Sequence, residues 1–362
     1  MVKDFFWLML LFISIFAFEM MEITMICDSK NTCLKIVLLM QGLLLWWSCA
    51  CAGDGIVRVG MAWQRQAYNY DRVARSIIAA GGVPVILEQT RPAGFDYDGE
   101  NLSTIYLDEN GILLQQYATI VKKLTYHGSN IEQVMDGIDA VVFLGGGDFS
   151  PTLMRVPQPW HGIEAERNYD ITRDLSEYLT MAYCLDNDIP VLGLCRGMQL
   201  LGIVSGAPLI QDLKTHFDML GKDEGSVHRS SRDEQGNRHY TPHDVLIVDT
   251  HSLLWEIVRD SVITGVPSWH HQAVENVDDT RLKVTAITLT DGVKVIEAIE
   301  RTDKAFALGV QFHPEEAIRK HLDEDNDAKS FMQLYQGVNY FKALVNAALE
   351  HRKKSSLTHS KQ

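Results

Sequence analysis

Residues 190–201 read Pro-Val-Leu-Gly-Leu-Cys-Arg-Gly-Met-Gln-Leu-Leu, and they give the strongest indication of the fold class. Its first five residues are an apolar run suited to a strand in the middle of a sheet. A helix that begins at Gly197 and ends at Gly206 follows, so Cys195 occupies a sharp strand-to-helix turn. Such a turn exposes a thiol at the carboxyl edge of the sheet, where open α/β folds bind their ligands, and the helix dipole favours the thiolate. The stretch therefore predicts a cysteine nucleophile in an α/β fold.

From Ile56 onward, short apolar runs alternate with amphipathic ones. This alternation is typical of βαβ units and predicts a largely parallel sheet with helices between its strands. The predicted strands, in chain order, are 57–63, 83–87, 140–144, 190–194 and 305–311, and helices are predicted at 70–80 and 169–185.

A cysteine after a strand is usually a small core residue. The prediction that Cys195 is a nucleophile therefore needs support from a base elsewhere in the sequence. Phe312-His-Pro-Glu315 continues the predicted strand that ends at Gln311. In a strand, side chains two apart point to the same side, which would set His313 and Glu315 together. An imidazole and an orienting carboxylate are what a thiol needs to lose its proton and a leaving amine needs to gain one. Glu316 should face away and receives no role.

Leu144-Gly-Gly-Gly-Asp148 follows another predicted strand. Without side chains, these glycine amides can approach a bound carbonyl closely. A donor from Gly146 or Gly147, together with the Arg196 amide, is expected to form an oxyanion hole. Dinucleotide binding is disfavoured, because the Gly-x-Gly-x-x-Gly pattern is not satisfied and Pro151 comes before any helix.

Two segments, Gly193-Leu-Cys-Arg-Gly-Met-Gln199 and Gly309-Val-Gln-Phe-His-Pro-Glu315, resemble the signature motifs of class I glutamine amidotransferases. Within that superfamily the similarity is closer to γ-glutamyl-γ-aminobutyrate hydrolases and γ-glutamyl peptidases. Three further segments resemble parts of those stand-alone enzymes: Gly145-Gly-Gly-Asp148, Trp269-His-His-Gln-Ala273 and Val295-Ile-Glu-Ala298. The match runs from about Ile56 to Leu349.

The resemblance implies a flavodoxin-like three-layer sandwich, with a mostly parallel central sheet and helices on both faces. It also implies a catalytic triad of Cys195, His313 and Glu315, and a thioester intermediate that water later hydrolyses. The expected reaction is cleavage of a γ-glutamyl amide bond, releasing glutamate and an amine, with Gln199 touching the glutamyl part of the substrate.

Two other functions stay open on this fold. A glutaminase subunit could supply ammonia to a synthase partner, and a cleaved export signal would count against it. An inactive binding protein is disfavoured, because nucleophile, base and orienting acid are all present. For the hydrolase, we expect a small γ-glutamyl substrate and no obligatory protein partner, and a homodimer stays open.

A γ-glutamyl substrate carries an α-carboxylate that should need a cation. Arg173 and Arg196 are candidates by position, and His271 is expected to shape the pocket. A zinc site made of His270, His271 and His313 is disfavoured, since adjacent histidines face different ways and no carboxylate follows at a ligand spacing. We therefore expect no cofactor and an activity that chelators do not affect.

Bulk composition excludes several classes of protein. The 362 residues are 46% hydrophobic and 22% charged, which is ordinary for a globular protein and argues against disorder. The formal net charge of −14 argues against a nucleic-acid partner, because binding phosphates requires a basic face.

Residues 1–52 differ from the rest and hold two apolar stretches, 5–18 and 36–47. Each is shorter than the ~20 apolar residues that a membrane-spanning helix needs. The second stretch follows lysines and precedes Ala50-Cys-Ala52, a small-x-small cleavage pattern, so we expect an export signal. A lipoprotein leader acylated in this region is the alternative. Residues 1–24 fit neither an export signal nor a lipoprotein leader, so translation is expected to start downstream of them.

The folded body is expected to be one hydrolase domain, 53–350, followed by a frayed polar tail, 351–362. Of six cysteines, four lie in the leader, and Cys184 and Cys195 are expected to be free thiols. Two polar segments, 92–130 and 214–243, are expected to flank the pocket, the first as a surface loop.

Overall fold

The computed structural model describes residues 55–65 and 70–359, with side chains as far as 356, and the proposed leader lies outside them. The strands follow one another in chain order as β1 (Arg58–Met61), β2 (Val83–Ile86), β3 (Tyr97–Asp98), β4 (Asn101–Leu102), β5 (Ala140–Phe143), β6 (Val191–Leu194), β7 (Leu209–Ile210), β8 (Thr241–Ile247), β9 (Val262–Ser268), β10 (Ala273–Val274), β11 (Leu282–Thr290), β12 (Val293–Arg301) and β13 (Ala307–Val310).

The α-helices lie between these strands and after them. They are α1 (Tyr70–Ala79), α2 (Gln115–Leu124), α3 (Ile131–Val134), α4 (Ile171–Asp186), α5 (Arg196–Val204), α6 (Leu213–Met219), α7 (Leu253–Val258), α8 (Pro314–Leu322) and α9 (Leu334–His359). Short 3₁₀ turns occur at Thr104–Tyr106, Pro151–Leu153, Glu164–Glu166 and Ala328–Ser330.

Nine strands form one sheet in the order β2-β1-β5-β6-β13-β12-β11-β8-β9. The first five are parallel to one another, and β12, β11, β8 and β9 extend the sheet through antiparallel pairs. The central strands β5, β6 and β13 are buried along their whole length, as their continuous apolar runs predict. The antiparallel half was not predicted.

Helices pack in two groups against this sheet. Helices α4 and α5 contact each other and β6, whereas α1, α8 and α9 form a second group, and α9 contacts β5 and β6. The α/β flavodoxin-like sandwich that the resemblance implied is therefore confirmed. The carboxyl ends of β5, β6 and β13 lie side by side, which brings three distant sequence segments to one edge.

Two expectations about segments need correction. Residues 92–130 carry the β3–β4 hairpin and α2 rather than a plain loop. Residues from 351 continue α9 as far as His359, and Arg352 pairs with Asp139 in the loop before β5. Among the helices of the described part of the chain, none has the length and apolar character to cross a membrane.

Candidate active site

Cys195 joins β6 directly to α5 in a strained backbone conformation. Its φ of 51° and ψ of −102° lie where residues with side chains are rarely found. The glycines on either side allow this turn, because a Cβ on Gly197 would collide with the Phe143 carbonyl oxygen and one on Gly193 with the backbone of Gly197. The predicted strand-to-helix turn is confirmed, with the thiol at the carboxyl end of a central strand.

His313 and Glu315 meet, but not through strand periodicity. The strand ends at Val310, and α8 begins at Pro314, so the expectation that residues 312–315 continue the strand is wrong. Proline at the first helical position starts the helix immediately after His313. The Nδ1 atom of His313 lies 2.7 Å from Glu315 Oε1. Because a carboxylate only accepts, Nδ1–H donates, and Nε2 is left for the thiol.

The proton affinity of His313 suits a general base. Burial acts to lower its pKa, but Tyr240, Glu315 and Cys195 outweigh burial and raise it well above the usual value. Burial raises the pKa of Tyr240 to about 12, so the phenol is neutral at pH 7. The neighbouring Glu315 carboxylate therefore favours the imidazolium that forms when His313 accepts a proton.

Two glutamines connect the thiol to the cavity wall. Gln311 Nε2 donates to Cys195 Sγ at 3.5 Å, and Gln199 Nε2 donates to Gln311 Oε1 at 3.3 Å. Gln199 also donates to the Gln272 carbonyl at 3.1 Å, so its amide is held in place at the cavity wall. The Cys195 thiol lies 3.8 Å from the Trp269 carbonyl oxygen. Gln311 and Trp269 received no role from the sequence, although both stand inside segments that the resemblance singled out.

The glycine loop lies beside the thiol. A Cβ on Gly145 would come within 2.7 Å of His313 Cε1 and 3.7 Å of Cys195 Cβ. No hydrogen bond within the described residues engages the amides of Gly146 or Gly147, and the Arg196 amide begins α5 without an acceptor in its own helix. The glycine loop thus lines the same cavity as Cys195, and the oxyanion role of these amides stays a prediction.

The guanidinium groups of Arg173 and Arg196 lie beneath this loop instead of lining the main cavity. Arg173 donates to Glu177 at 2.9 Å and to the Gly145 carbonyl at 2.9 Å. Arg196 is fully buried and pairs with Asp174 and Glu177. These contacts support the loop, and the expected role of the two arginines at a substrate carboxylate stays a prediction.

His271 does face the cavity, between two carboxylates. Its Nε2 lies 2.8 Å from Asp148 Oδ1 and its Nδ1 lies 3.5 Å from Asp212 Oδ2. Burial acts to lower the pKa of His271, but the two carboxylates outweigh it and raise that pKa. The two carboxylates therefore favour the protonated form of His271, which also links the glycine loop to the start of α6.

The sequence profile of the Peptidase C26 family matches residues 111–315. This range covers more than half of the chain and contains the thiol, the imidazole and the carboxylate described above. The chain belongs to the Peptidase C26 family. Family membership makes it a hydrolase related to the glutamine amidotransferases, and it confirms the resemblance seen in the motifs.

Several proteins are similar to this C26 chain over most of their own length. Protein NtpR of Enterococcus hirae is 36% identical over 182 residues, which cover 50% of this chain and 68% of NtpR. A Mycobacterium tuberculosis protein named provisionally as a glutamine amidotransferase is 33% identical over 271 residues, 74% of each chain. The γ-glutamyl-γ-aminobutyrate hydrolase PuuD of Escherichia coli K12 is 29% identical over 187 residues, 52% of this chain and 68% of PuuD.

A cavity of about 770 Å³ opens over Cys195 of this C26 chain. One wall is residues 221–240, between α6 and β8, here called the arginine loop. Arg229, Arg232 and Arg238 of this loop all pair with Glu166, at 3.1, 3.1 and 2.8 Å. Burial acts to raise the pKa of Glu166, but the three guanidiniums lower it to about 2. Three cations facing one anion give the wall an excess of positive charge.

Of the two polar segments expected near the pocket, 214–243 lines it and 92–130 does not, as far as the described residues show. Tyr240, at the end of the arginine loop, packs edge-on against His313 with ring centroids 5.1 Å apart. Neither Tyr240 nor the arginines were predicted as site residues. Their spacing in the sequence carries no periodic signal, and only the fold brings them to Cys195.

Residues with the geometry of metal ligands lie behind this site. Within 55–65 and 70–356, one cluster qualifies, and its members are His228, His243, His270 and Glu297. It contains neither the thiol nor His313. His270 and His271 do face different ways, as the sequence predicted.

Proposed function

We propose that this chain is a cysteine hydrolase that cleaves the γ-glutamyl amide bond of small γ-glutamyl compounds. The observation that carries the proposal is the strained turn at Cys195, beside an imidazole that is hydrogen-bonded to a carboxylate: His313 Nδ1 lies 2.7 Å from Glu315 Oε1. Cys195 would be the nucleophile, His313 the general acid and base, and Glu315 the group that orients the imidazole.

The proposed reaction has two halves. The Cys195 sulfur attacks the γ-carbonyl carbon while His313 takes the thiol proton, and the amide nitrogen leaves with that proton as a free amine. The product is a γ-glutamyl thioester on Cys195. Water then attacks the thioester carbonyl as His313 accepts the water proton, and the proton returns to the sulfur as glutamate leaves.

The negative charge on the carbonyl oxygen in each half needs donors. We assign the Arg196 amide and an amide of Gly146 or Gly147 to this oxyanion hole. A donor of this kind is typically worth ~3 kcal/mol of transition-state stabilisation. Arg173 and Arg196 contribute by holding the loop and the first turn of α5, through the ion pairs beneath them.

The charge of the cavity wall supports an anionic substrate. The arginine loop presents three guanidiniums against one carboxylate. A γ-glutamyl compound brings an α-carboxylate, and a leaving amine such as γ-aminobutyrate, named in the PuuD relative, brings a second. We therefore propose that the preferred leaving amines themselves carry a carboxylate, because guanidinium groups bind carboxylates strongly.

The test is release of free glutamate from four compounds by the purified protein: glutamine, γ-glutamyl-γ-aminobutyrate, γ-glutamylglutamate and γ-glutamylputrescine. Cys195→Ala should abolish release, and Cys184→Ala, which removes the buried second thiol of the domain, should not. The two acidic compounds should be cleaved with higher kcat/KM than the putrescine compound. Turnover of glutamine alone would favour a glutaminase subunit, and no turnover would favour a binding protein.

Export remains a further proposal, since the leader lies outside the described residues. It matters for the substrate, because an exported enzyme would meet γ-glutamyl peptides or folate polyglutamates rather than cytosolic metabolites. N-terminal sequencing of the mature protein should find a start near Gly53. A mature chain that begins at residue 1 would contradict it.

A further inference from the structure

A cluster of four buried side chains lies behind the cavity wall and takes no part in the proposed catalysis. Glu297 Oε1 lies 3.2 Å from His228 Nδ1, 3.7 Å from His270 Nε2 and 3.8 Å from His243 Nε2. The four inward atoms all lie within 4.8 Å of one another. All four side chains are nine-tenths or more buried.

The outward ring nitrogens are held by partners that orient the rings. His270 Nδ1 donates to the Gln272 carbonyl at 2.9 Å, which leaves the Nε2 lone pair pointing inward. His243 Nδ1 lies 3.3 Å from the Asp244 carbonyl and 3.2 Å from a threonine hydroxyl of β11. His228 Nε2 lies 3.2 Å from another threonine hydroxyl of β11. Outer partners of this kind fix the rings of metal-binding histidines.

The inward atoms, by contrast, are unsatisfied within the described residues. His228 Nδ1, His243 Nε2, His270 Nε2 and both oxygens of Glu297 are buried without a hydrogen-bond partner. The contacts to Glu297 are too long or too poorly aligned to be hydrogen bonds. Five orphaned polar atoms at one point are costly in a protein interior, and a shared cation satisfies the four ligand groups together.

We propose that His228, His243, His270 and Glu297 bind a structural Zn²⁺ ion. Three imidazoles and one carboxylate are ligands that zinc favours, and four protein ligands make a closed site without room for substrate. The hydrogen bond that His270 Nδ1 donates to the Gln272 carbonyl leaves Nε2, which faces Glu297, as the ligand atom of that ring.

The ion would connect parts of the molecule that form the cavity. His228 belongs to the arginine loop, and His243 and Glu297 belong to β8 and β12, on either side of β11. His270 stands between Trp269, whose carbonyl faces the thiol, and His271. By binding all four residues, the ion would hold the arginine loop and the wall segment around His270 against strands β8 and β12 of the sheet. It would not touch the reacting atoms, so chelator added to the folded protein should leave turnover unchanged during an assay.

The experiment is metal analysis by inductively coupled plasma mass spectrometry on purified full-length protein produced with added zinc. The expected content is about one Zn²⁺ per chain, falling at least about tenfold in His228→Ala and in Glu297→Gln. His239→Ala is the matched control, because His239 is an exposed histidine of the same arginine loop that pairs with Asp233. That variant should keep its zinc.

X-ray absorption at the zinc edge of the unmodified protein makes the test independent of whether variants fold. The expected spectrum shows four nitrogen or oxygen neighbours, with the multiple-scattering signal of imidazole and no sulfur. A sulfur neighbour would place the ion at a cysteine and overturn the proposal. Protein without metal, or equal zinc in all three variants, would overturn it in favour of a buried histidine that shares a proton with Glu297. Full occupancy by another metal would overturn the assignment to zinc.

Discussion

Replacement of Glu315 by glutamine removes one negative charge beside His313 and keeps nearly the same shape. The Nδ1 to Oε1 contact of 2.7 Å is buried on both sides. The amide can no longer stabilise the imidazolium that forms when Cys195 attacks, and its NH₂ group can reverse the tautomer. We expect Glu315→Gln to lower kcat strongly while KM changes little.

The magnitude follows from the geometry. Unit charges 2.7 Å apart interact by about 6 kcal/mol at an effective dielectric constant of about 20, which is an upper limit for the loss. Neutralising the orienting acid of a comparable triad lowers kcat by roughly 10⁴-fold, or about 5.5 kcal/mol. We therefore expect a loss of about 10³ to 10⁴ in kcat. The pKa of His313 should fall, because removal of an anion destabilises the protonated ring.

The assay is steady-state release of glutamate from the best γ-glutamyl substrate, with titration of the His313 ring followed by NMR. Glu316→Gln is the matched control, since the adjacent Glu316 is also buried but pairs with Arg72 and Arg319 at 3.0 and 2.8 Å. It should lower the melting temperature and leave kcat largely unchanged. A loss of less than about tenfold in Glu315→Gln, or an equal loss in Glu316→Gln, would refute the reasoning.

Three further predictions concern the same site. Gly145→Ala should reduce kcat without a large fall in melting temperature, because the added methyl group would lie 2.7 Å from His313 Cε1 and push the ring aside; unchanged kinetics would contradict this. Limited iodoacetamide treatment at pH 8 should label Cys195 before Cys184, whose pKa burial raises, and peptide mass spectrometry checks the order. The raised pKa of His271 stabilises the fold fully below the unfolded value of about 6.5, and this contribution is lost as pH rises through the higher folded value. The free energy of unfolding of the unmodified protein should therefore fall relative to that of His271→Gln as pH rises, and parallel curves would contradict it.

The local geometry of a site residue could be predicted where it depends only on residues in the same short segment. The turn at Cys195 depends on Gly193 and Gly197, whose missing side chains allow the close packing. The pairing of His313 with Glu315 was also correct, but its reason was wrong, because Pro314 starts a helix rather than continuing a strand. His313 and Glu315 are only two residues apart, so their side chains can meet in a strand or at the start of a helix.

Long-range positions could not be predicted, because they depend on strand order and on which face of a helix is covered. The sequence did not predict that Arg173, on α4, donates hydrogen bonds to Glu177 and to the Gly145 carbonyl of the glycine loop. Arg229 and Arg238 lie in a polar loop without periodicity, and the fold places them on the cavity wall.

Neighbouring residues were enough to predict the parallel α/β core, the thiol at its strand-to-helix turn, and the pairing of His313 with Glu315. Only the tertiary structure showed the antiparallel half of the sheet and the cluster of three histidines and Glu297 that it brings together. His243 on β8 and Glu297 on β12 meet because β11 lies between their strands, and the arginine loop brings His228 to them. Ligands so far apart in sequence converge only when the register of several strands is set, and that register depends on the packing of the whole sheet.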